Sequence, residues 1–169
     1  TKFAVFLDEG VTNHPDYQYL NIKPYCNKDI YFKEINTFFD YLERLLNLKI
    51  IIAAHPKVNY SKKYNYFNRH VILNETINLV KRSSFVLAHM STSINFAVIY
   101  NKPILFLDSN SYSSNMRNQI HLNANTLGSK TINIKDLKLI KNIDTKKINK
   151  NKYSDYLNDQ NLVFLLGVY

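Results

Sequence analysis

The chain has little glycine and almost no cysteine, and each scarcity excludes a class of protein. Only Gly10, Gly128 and Gly167 occur among 169 residues, so the sequence has neither a P-loop nor a GxGxxG nucleotide-binding fingerprint. Cys26 is the only cysteine, which rules out an intramolecular disulfide and favours a reducing, cytoplasmic setting. No apolar run is long enough to span a membrane, and there is no signal-peptide pattern. The length and the 46% hydrophobic content fit one globular domain with a sizeable core.

Acidic residues are outnumbered by basic ones, and the excess is concentrated in one segment. The chain has a net charge of +9 at pH 7, and residues 130–152 hold eight lysines against Asp136 and Asp144. This Lys-rich segment, which starts at about residue 130, has two interpretations. It is either a surface that attracts an anionic membrane or nucleic acid, or an ordinary solvated face, which is the commoner case.

Apolar segments of strand length alternate with segments of helical periodicity. Strands are predicted at residues 3–7, 49–54, 71–73, 85–88, 103–107 and 131–134. One helix begins after its proposed N-cap Asp29, and another at residues 75–82 is capped by Asn74. Further helices are predicted at residues 92–100, 116–127 and 146–157. This alternation predicts an α/β fold: a Rossmann-like, mostly parallel sheet with helices on both faces.

Polar side chains follow four of the predicted strands. Asp8, His55, His89 with Ser91, and Asp108 each come directly after an apolar strand. Open parallel sheets bind ligands at the carboxyl ends of their strands. We therefore expect these groups to face one crevice.

The segment FVLAHMSTSINFA at residues 85–97 predicts a binding site for an anion. An apolar strand runs into Ser91, Thr92 and Ser93, and an apolar helix follows. Unpaired N–H groups at the start of that helix, together with the hydroxyls, would bind a phosphate. His55 and Lys57, after another strand, add an imidazole and an ammonium. Helix capping by the hydroxyls and a purely structural His55 are the open alternatives.

Three of these motifs resemble those of a known group of enzymes. The order Asp8-Glu9-Gly10, His55-Pro56, Ser91-Thr92-Ser93 resembles bacterial sialyltransferases and related capsule and lipopolysaccharide transferases. The run TINLVKRSSFVLAHMSTSINFAVIYNKP at residues 76–103 is similar to the donor-binding half of GT-B type glycosyltransferases. It is also similar to polymer-forming transferases that use CDP-linked donors. The resemblance covers about residues 3–135.

The resemblance and the chemistry of the strand ends together assign roles. The groups expected at the donor phosphate are His55, Lys57, Ser91, Thr92 and Ser93. The resemblance alone implies that Leu73, Thr76 and Asn95 lie near the nucleoside. The candidates for the acid–base group are Asp8, Glu9, His14 and Asp16. GT-B enzymes often need no metal, so we expect none here, and no cofactor besides a CMP-, CDP- or UDP-linked sugar as substrate.

Two segments of the sequence suggest functions other than glycosyl transfer. Residues 6–12 resemble the nucleophile strand of haloacid dehalogenase phosphatases, but Gly10 stands where that chemistry needs a second Asp, which excludes it. A nucleic-acid-binding module is an alternative, because basic and aromatic residues alternate in the loop after the second strand. Those residues are Tyr60, Lys62, Lys63, Tyr64, Tyr66, Phe67 and Arg69. No recognised nucleic-acid-binding motif accompanies them.

The sequence therefore predicts a glycosyltransferase domain that binds a nucleotide-sugar for bacterial surface polysaccharide synthesis. Residues 1–169 would form a single nucleotide-sugar-binding domain, the C-terminal half of an enzyme that is incomplete without an N-terminal domain. The chain begins without Met and ends in an apolar run at residues 162–169, as expected of such a piece. The acceptor would be an oligosaccharide or a lipid-linked sugar. The location would be cytoplasmic, peripheral to the inner membrane face through the Lys-rich segment. A polyol-phosphate polymer transferase is the alternative within this class.

Overall fold

Six strands form one sheet in which every neighbouring pair is parallel. In this computed structural model, which describes residues 2–61, 65–141 and 143–159, the strand order is β3-β2-β1-β4-β5-β6. The strands are β1 (Phe3–Leu7), β2 (Lys49–Ala53), β3 (Val71–Ile72), β4 (Val86–Ala88), β5 (Ile104–Asp108) and β6 (Thr131–Asn133). The predicted Rossmann-like α/β fold is confirmed. The expected roles of Lys62, Lys63, Tyr64 and the run 162–169 concern residues outside the described ones.

Helices connect or follow these strands. They are α1 (Asp16–Tyr19), α2 (Lys28–Leu46), α3 (Thr76–Arg82), α4 (Ile94–Ile99), α5 (Ser114–Leu127), α6 (Leu137–Ile140) and α7 (Lys150–Asp159). Right-handed crossovers place α2 on the face opposite α4 and α5, because the chain adds strands in opposite directions from β1. Consistent with this, α2 contacts α6, whereas α7 contacts α4 and α5. None of the described helices has the length and apolar character needed to cross a membrane.

The core lies between the sheet and these two helical layers. Residues 4–7 of β1 and all five residues of β5 are buried on both faces, which explains their continuous apolar sequence. The ring of Phe6 lies at the centre of an aromatic cluster, with Phe39 and Phe67 at centroid distances of 5.2 and 5.7 Å. This packing fixes the strand ends from which the polar loops emerge.

Several helix boundaries differ from the predicted ones. The cap of α2 is Asn27, whose Oδ1 accepts N–H bonds from Asp29 and Ile30 at 3.0 and 3.1 Å, so Asp29 is inside the helix. Asn74 is not a cap either: it has a left-handed backbone (φ 59°), and Glu75 precedes α3. The last helix begins at Lys150 rather than 146. The four-residue helices α1 and α6 were not predicted.

The Lys-rich segment folds onto the domain. Ile134, Ile140 and Tyr153 are buried, and the hydroxyl of Tyr153 donates to the carbonyl oxygen of Lys102 at 2.9 Å. The segment therefore contributes β6, α6 and α7 to the fold, while its lysines are largely exposed.

Candidate functional site

The strand order places a topological switch point between β1 and β4. From β1 the chain adds β2 and β3 on one side, then returns to place β4, β5 and β6 on the other. The loops after β1 and β4 therefore diverge at the carboxyl edge and leave a crevice between them. Asp8 and Glu9 begin one loop, and residues 89–93 form the other.

The carboxylate of Glu9 bridges the two loops across this crevice. The backbone N–H of Met90 donates to Oε1 of Glu9 at 2.8 Å, and the N–H groups of His89 and Ser91 also stabilise its charge. Burial outweighs these bonds and, with the nearby charge of Asp8, raises the pKa of Glu9 to about 8. Glu9 thus keeps its proton at neutral pH and loses it near pH 8, which suits a group that exchanges a proton with a ligand.

Asp8 shapes the turn instead of facing the crevice. It is buried, accepts the N–H of Gly10 at 3.2 Å and accepts the hydroxyl of Tyr60. Burial raises its pKa. Gly10 has a left-handed backbone (φ 63°), and a Cβ there would lie 2.5 Å from Cγ2 of Val58. The close approach to Val58 brings the loops after β1 and β2 together.

Two histidines meet where those loops touch. The rings of His14 and His55 have centroids 4.7 Å apart. Nδ1 of His14 accepts the backbone N–H of Asp16 at 3.2 Å. In the same way, Nδ1 of His55 accepts the backbone N–H of Lys57 at 3.3 Å. In the neutral rings the proton is therefore on Nε2, which becomes a donor. Partial burial, then the positive charges of His14 and Lys57, lower the pKa of His55.

Tyr60 belongs to the site, whereas the sequence suggested it only as one of the aromatic residues of a nucleic-acid-binding loop. Its hydroxyl accepts the backbone N–H of His55 at 3.0 Å and donates to Asp8. It thus joins the strand ends of β1 and β2. In the same loop Phe67 is in the core, and Arg69 pairs with Asp40 and other groups of α2. These contacts leave neither Phe67 nor Arg69 available to stack on a base.

The hydroxyl cluster is present, but its backbone differs from the prediction. Oγ of Ser91 accepts the N–H of Ser93 at 3.2 Å, and the N–H groups of residues 94–96 donate to carbonyls three residues back. The expected unpaired N–H groups at this helix start are therefore paired, and α4 is only six residues long. Thr92 is exposed, while Ser91 and Ser93 are half-buried.

The residues expected near the nucleoside are not brought together. Leu73 and Thr76 follow β3, on the far side of β2 from the switch point, and Leu73 is 47% exposed. Asn95 instead joins two helices, since its Oδ1 accepts the hydroxyl of Tyr156 at 2.6 Å. This contact fastens α7 to α4.

Besides Asp8, two more of the four strand-end groups lie outside the crevice. His89 is fully buried, with Nε2 3.1 Å from the hydroxyl of Tyr31, and burial lowers its pKa to about 4. It is a neutral core histidine. Burial alone would raise the pKa of Asp108, but hydrogen bonds from Arg117 and His121 on α5 lower it. The expectation that all four groups face one crevice was wrong for these two and for Asp8.

The cavities of about 520, 390 and 330 Å³ lie at the opposite edge of the sheet. Two are formed around the start of β2, and the third around the starts of β5 and β6. The site at the carboxyl edge is identified by its switch point and polar groups. Within residues 2–61, 65–141 and 143–159, no three His, Cys, Asp or Glu side chains cluster as metal ligands would.

Comparison with known proteins establishes the fold. Neither a protein-family model nor a curated protein matches the chain. UDP-GlcNAc 2-epimerase of Methanocaldococcus jannaschii, solved with UDP-GlcNAc and UDP, matches 95% of this chain and 45% of its own, with a TM-score of 0.51 and 14% identity. The glycosyltransferase SnogD of Streptomyces nogalater matches 98% of this chain and 44% of its own, with a TM-score of 0.46 and 9% identity. S. aureus MnaA, solved with UDP, matches 98% of this chain and 47% of its own, with a TM-score of 0.43 and 17% identity. The chain thus spans less than half of each structure and has the Rossmann-like α/β fold that the GT-B resemblance implies.

Proposed function

We propose that this chain is the nucleotide-sugar-binding domain of a GT-B type glycosyltransferase. The observation that carries the proposal is the crevice between β1 and β4. There a carboxyl group with a raised pKa, a pair of histidines and a hydroxyl cluster lie on three neighbouring strand ends. In open parallel sheets a phosphate-bearing ligand binds at this position. The likeness to half of a UDP-GlcNAc-bound epimerase supports the same choice through the fold.

The donor phosphate would bind between the β2 and β4 loops. Nε2–H of His55 and the ammonium of Lys57 would approach it from one side, and the hydroxyls of Ser91, Thr92 and Ser93 from the other. Transfer of the sugar releases a phosphate on which negative charge accumulates. Donors held in place before the reaction lower the free energy of that charged transition state.

Glu9 is the best candidate for the base that deprotonates the acceptor hydroxyl. It lies at the crevice, and its raised pKa makes the deprotonated form a stronger base than an ordinary carboxylate, whereas Asp8 is buried and bonded to Tyr60. Asp8 would then be a positioning residue. His14, half-buried beside His55, is the second candidate.

The biological setting belongs to the same proposal. The donor would be a CMP-, CDP- or UDP-linked sugar. The acceptor would be an oligosaccharide or a lipid-linked sugar in bacterial surface polysaccharide synthesis, with polyol-phosphate polymer transfer as the variant chemistry. An N-terminal domain would close the crevice from above. The protein would work in the cytoplasm, where the exposed lysines of the Lys-rich segment would lie near the inner membrane face.

The test is a calorimetric titration of the chain with CMP, CDP, UDP and GDP and with the matching nucleosides. We expect saturable binding of at least one nucleotide. A Ser91→Ala, Ser93→Ala double variant should lose more affinity for that nucleotide than for its nucleoside. Ser154→Ala, an exposed serine on α7, is the matched control and should bind as the wild type does. Failure of every nucleotide to bind, or equal losses for nucleotide and nucleoside, would contradict the proposal.

A further inference from the structure

Exposed apolar side chains are concentrated on one tight turn beside the crevice. Eight large hydrophobic residues are exposed in the described structure, and three of them are close in sequence, Tyr19 at 85%, Leu20 at 65% and Ile22 at 49%. We call residues 19–23 the apolar turn. It follows His14 in the chain by a single short helix, which keeps it near the candidate site.

The apolar turn is held in shape by its own hydrogen bonds. Leu20 N–H donates to the carbonyl of Asp16 at 2.9 Å, and Ile22 N–H donates to the carbonyl of Tyr17 at 3.1 Å. Asn21 between them has a left-handed backbone (φ 49°), which is the arrangement of a Schellman helix end. The hydroxyl of Tyr17 is fastened to the carbonyl of Val11 at 2.9 Å. The exposed side chains are thus presented on a pre-formed tip.

A lysine directly follows the exposed apolar side chains in the chain. The segment between Asp16 and Asp29 contains no acidic residue and holds Lys23 and Lys28. Lys23 is exposed directly after the apolar side chains. A tip of Tyr, Leu and Ile followed by a lysine matches the interface of an anionic bilayer, where apolar groups enter the acyl region and ammonium groups remain at the phosphates.

The size of the tip distinguishes a bilayer from a protein partner. A stable protein interface takes about 800 Å² from each partner, which is far more than three side chains on one turn offer by themselves. A bilayer requires no such area, because each apolar side chain that enters it contributes separately.

We propose that the apolar turn inserts into the surface of a membrane that contains anionic lipid. Insertion would hold the crevice beside the bilayer, within reach of a lipid-linked substrate. The proposal does not depend on the reaction at the crevice, and it differs from electrostatic attachment through the Lys-rich segment.

The chain contains no tryptophan, so one introduced tryptophan reports on a single position. The Leu20→Trp variant is mixed with vesicles of phosphatidylcholine containing phosphatidylglycerol, or of phosphatidylcholine alone. We expect a blue shift and quenching by brominated acyl chains with the anionic vesicles. Leu122→Trp on α5, where the native leucine is 57% exposed, is the matched control and should show neither change.

Vesicle sedimentation then tests whether insertion of the apolar turn is what binds the protein to anionic vesicles. Leu20→Ser with Ile22→Ser should lower the partition constant at least about tenfold, since two apolar side chains are removed from the contact. Leu122→Ser should leave it unchanged. The proposal is overturned if the wild-type chain does not bind anionic vesicles. It is also overturned if the double serine variant binds as tightly as wild type. Loss of binding in Lys146→Gln with Lys147→Gln would then show that attachment is electrostatic.

Discussion

Replacing Glu9 by glutamine should make the protein more stable at alkaline pH. In the folded chain the pKa of Glu9 rises from its ordinary value of 4.5 to about 8, chiefly through burial. The folded state therefore keeps a proton that the unfolded chain loses, so unfolding releases a proton between these pH values. The stabilising contribution is complete below pH 4.5 and is lost as the pH rises through 8. Glutamine retains an oxygen to accept the N–H of Met90 but does not titrate.

The magnitude follows from the two pKa values. The difference between 4.5 and about 8 is about 3.5 units, and at about 1.4 kcal/mol per unit the complete effect is about 5 kcal/mol. The Glu9 side chain retains partial contact with solvent, so we expect roughly half of this, about 2–3 kcal/mol. In a domain of this size that corresponds to a Tm difference of about 5–10 °C at pH 9.

Thermal and urea unfolding of wild type and Glu9→Gln at pH 5, 7 and 9 measure the difference directly. The stability of the variant relative to wild type should grow with pH. Glu75→Gln, an exposed carboxylate before α3, is the matched control and should follow the wild-type curve. Parallel curves for wild type and Glu9→Gln would refute the assignment of a raised pKa to Glu9.

Three further predictions concern the surroundings of the crevice. His55→Ala should weaken nucleotide binding about 10–100-fold in calorimetry, the value of a charged hydrogen bond, with little change in Tm. Gly10→Ala should cost about 1–3 kcal/mol in urea unfolding, because its Cβ meets Val58, and Val58→Ala in the same chain should restore part of the loss. Tyr156→Phe should cost about 1 kcal/mol, since it removes the bond to Asn95 that fastens α7.

The sheet could be predicted from the sequence because its strands are short apolar runs that end in polar residues. The strand predicted at residues 3–7 is β1. The bounds of the other predicted strands differ from the observed ones by one residue, at one end or at both. The alternation of strands with amphipathic helices leaves few arrangements besides a parallel sheet. The crevice follows, since the carboxyl ends of such strands meet at one edge.

The details that could not be predicted depend on contacts between residues distant in sequence. Glu9 and Met90 are 81 residues apart, and Tyr31 meets His89 across 58 residues. No local pattern distinguishes His89, bonded in the core, from His55 at the surface of the site. The N-cap of α2 was predicted wrongly for a different reason. Asn27 and Asp29 are both good capping residues, and only the backbone conformation decides which of them is the cap.

The most direct test of the central claim is to map where a nucleotide binds. Amide chemical shifts of the labelled chain are recorded during titration with CMP, CDP, UDP or GDP, whichever binds. The account predicts that the shifts concentrate on residues 8–14, His55 and residues 89–93, and that they diminish in His55→Ala. Shifts confined to residues 129–133 beside the cavity at the opposite edge would contradict it, as would the absence of shifts with all four nucleotides.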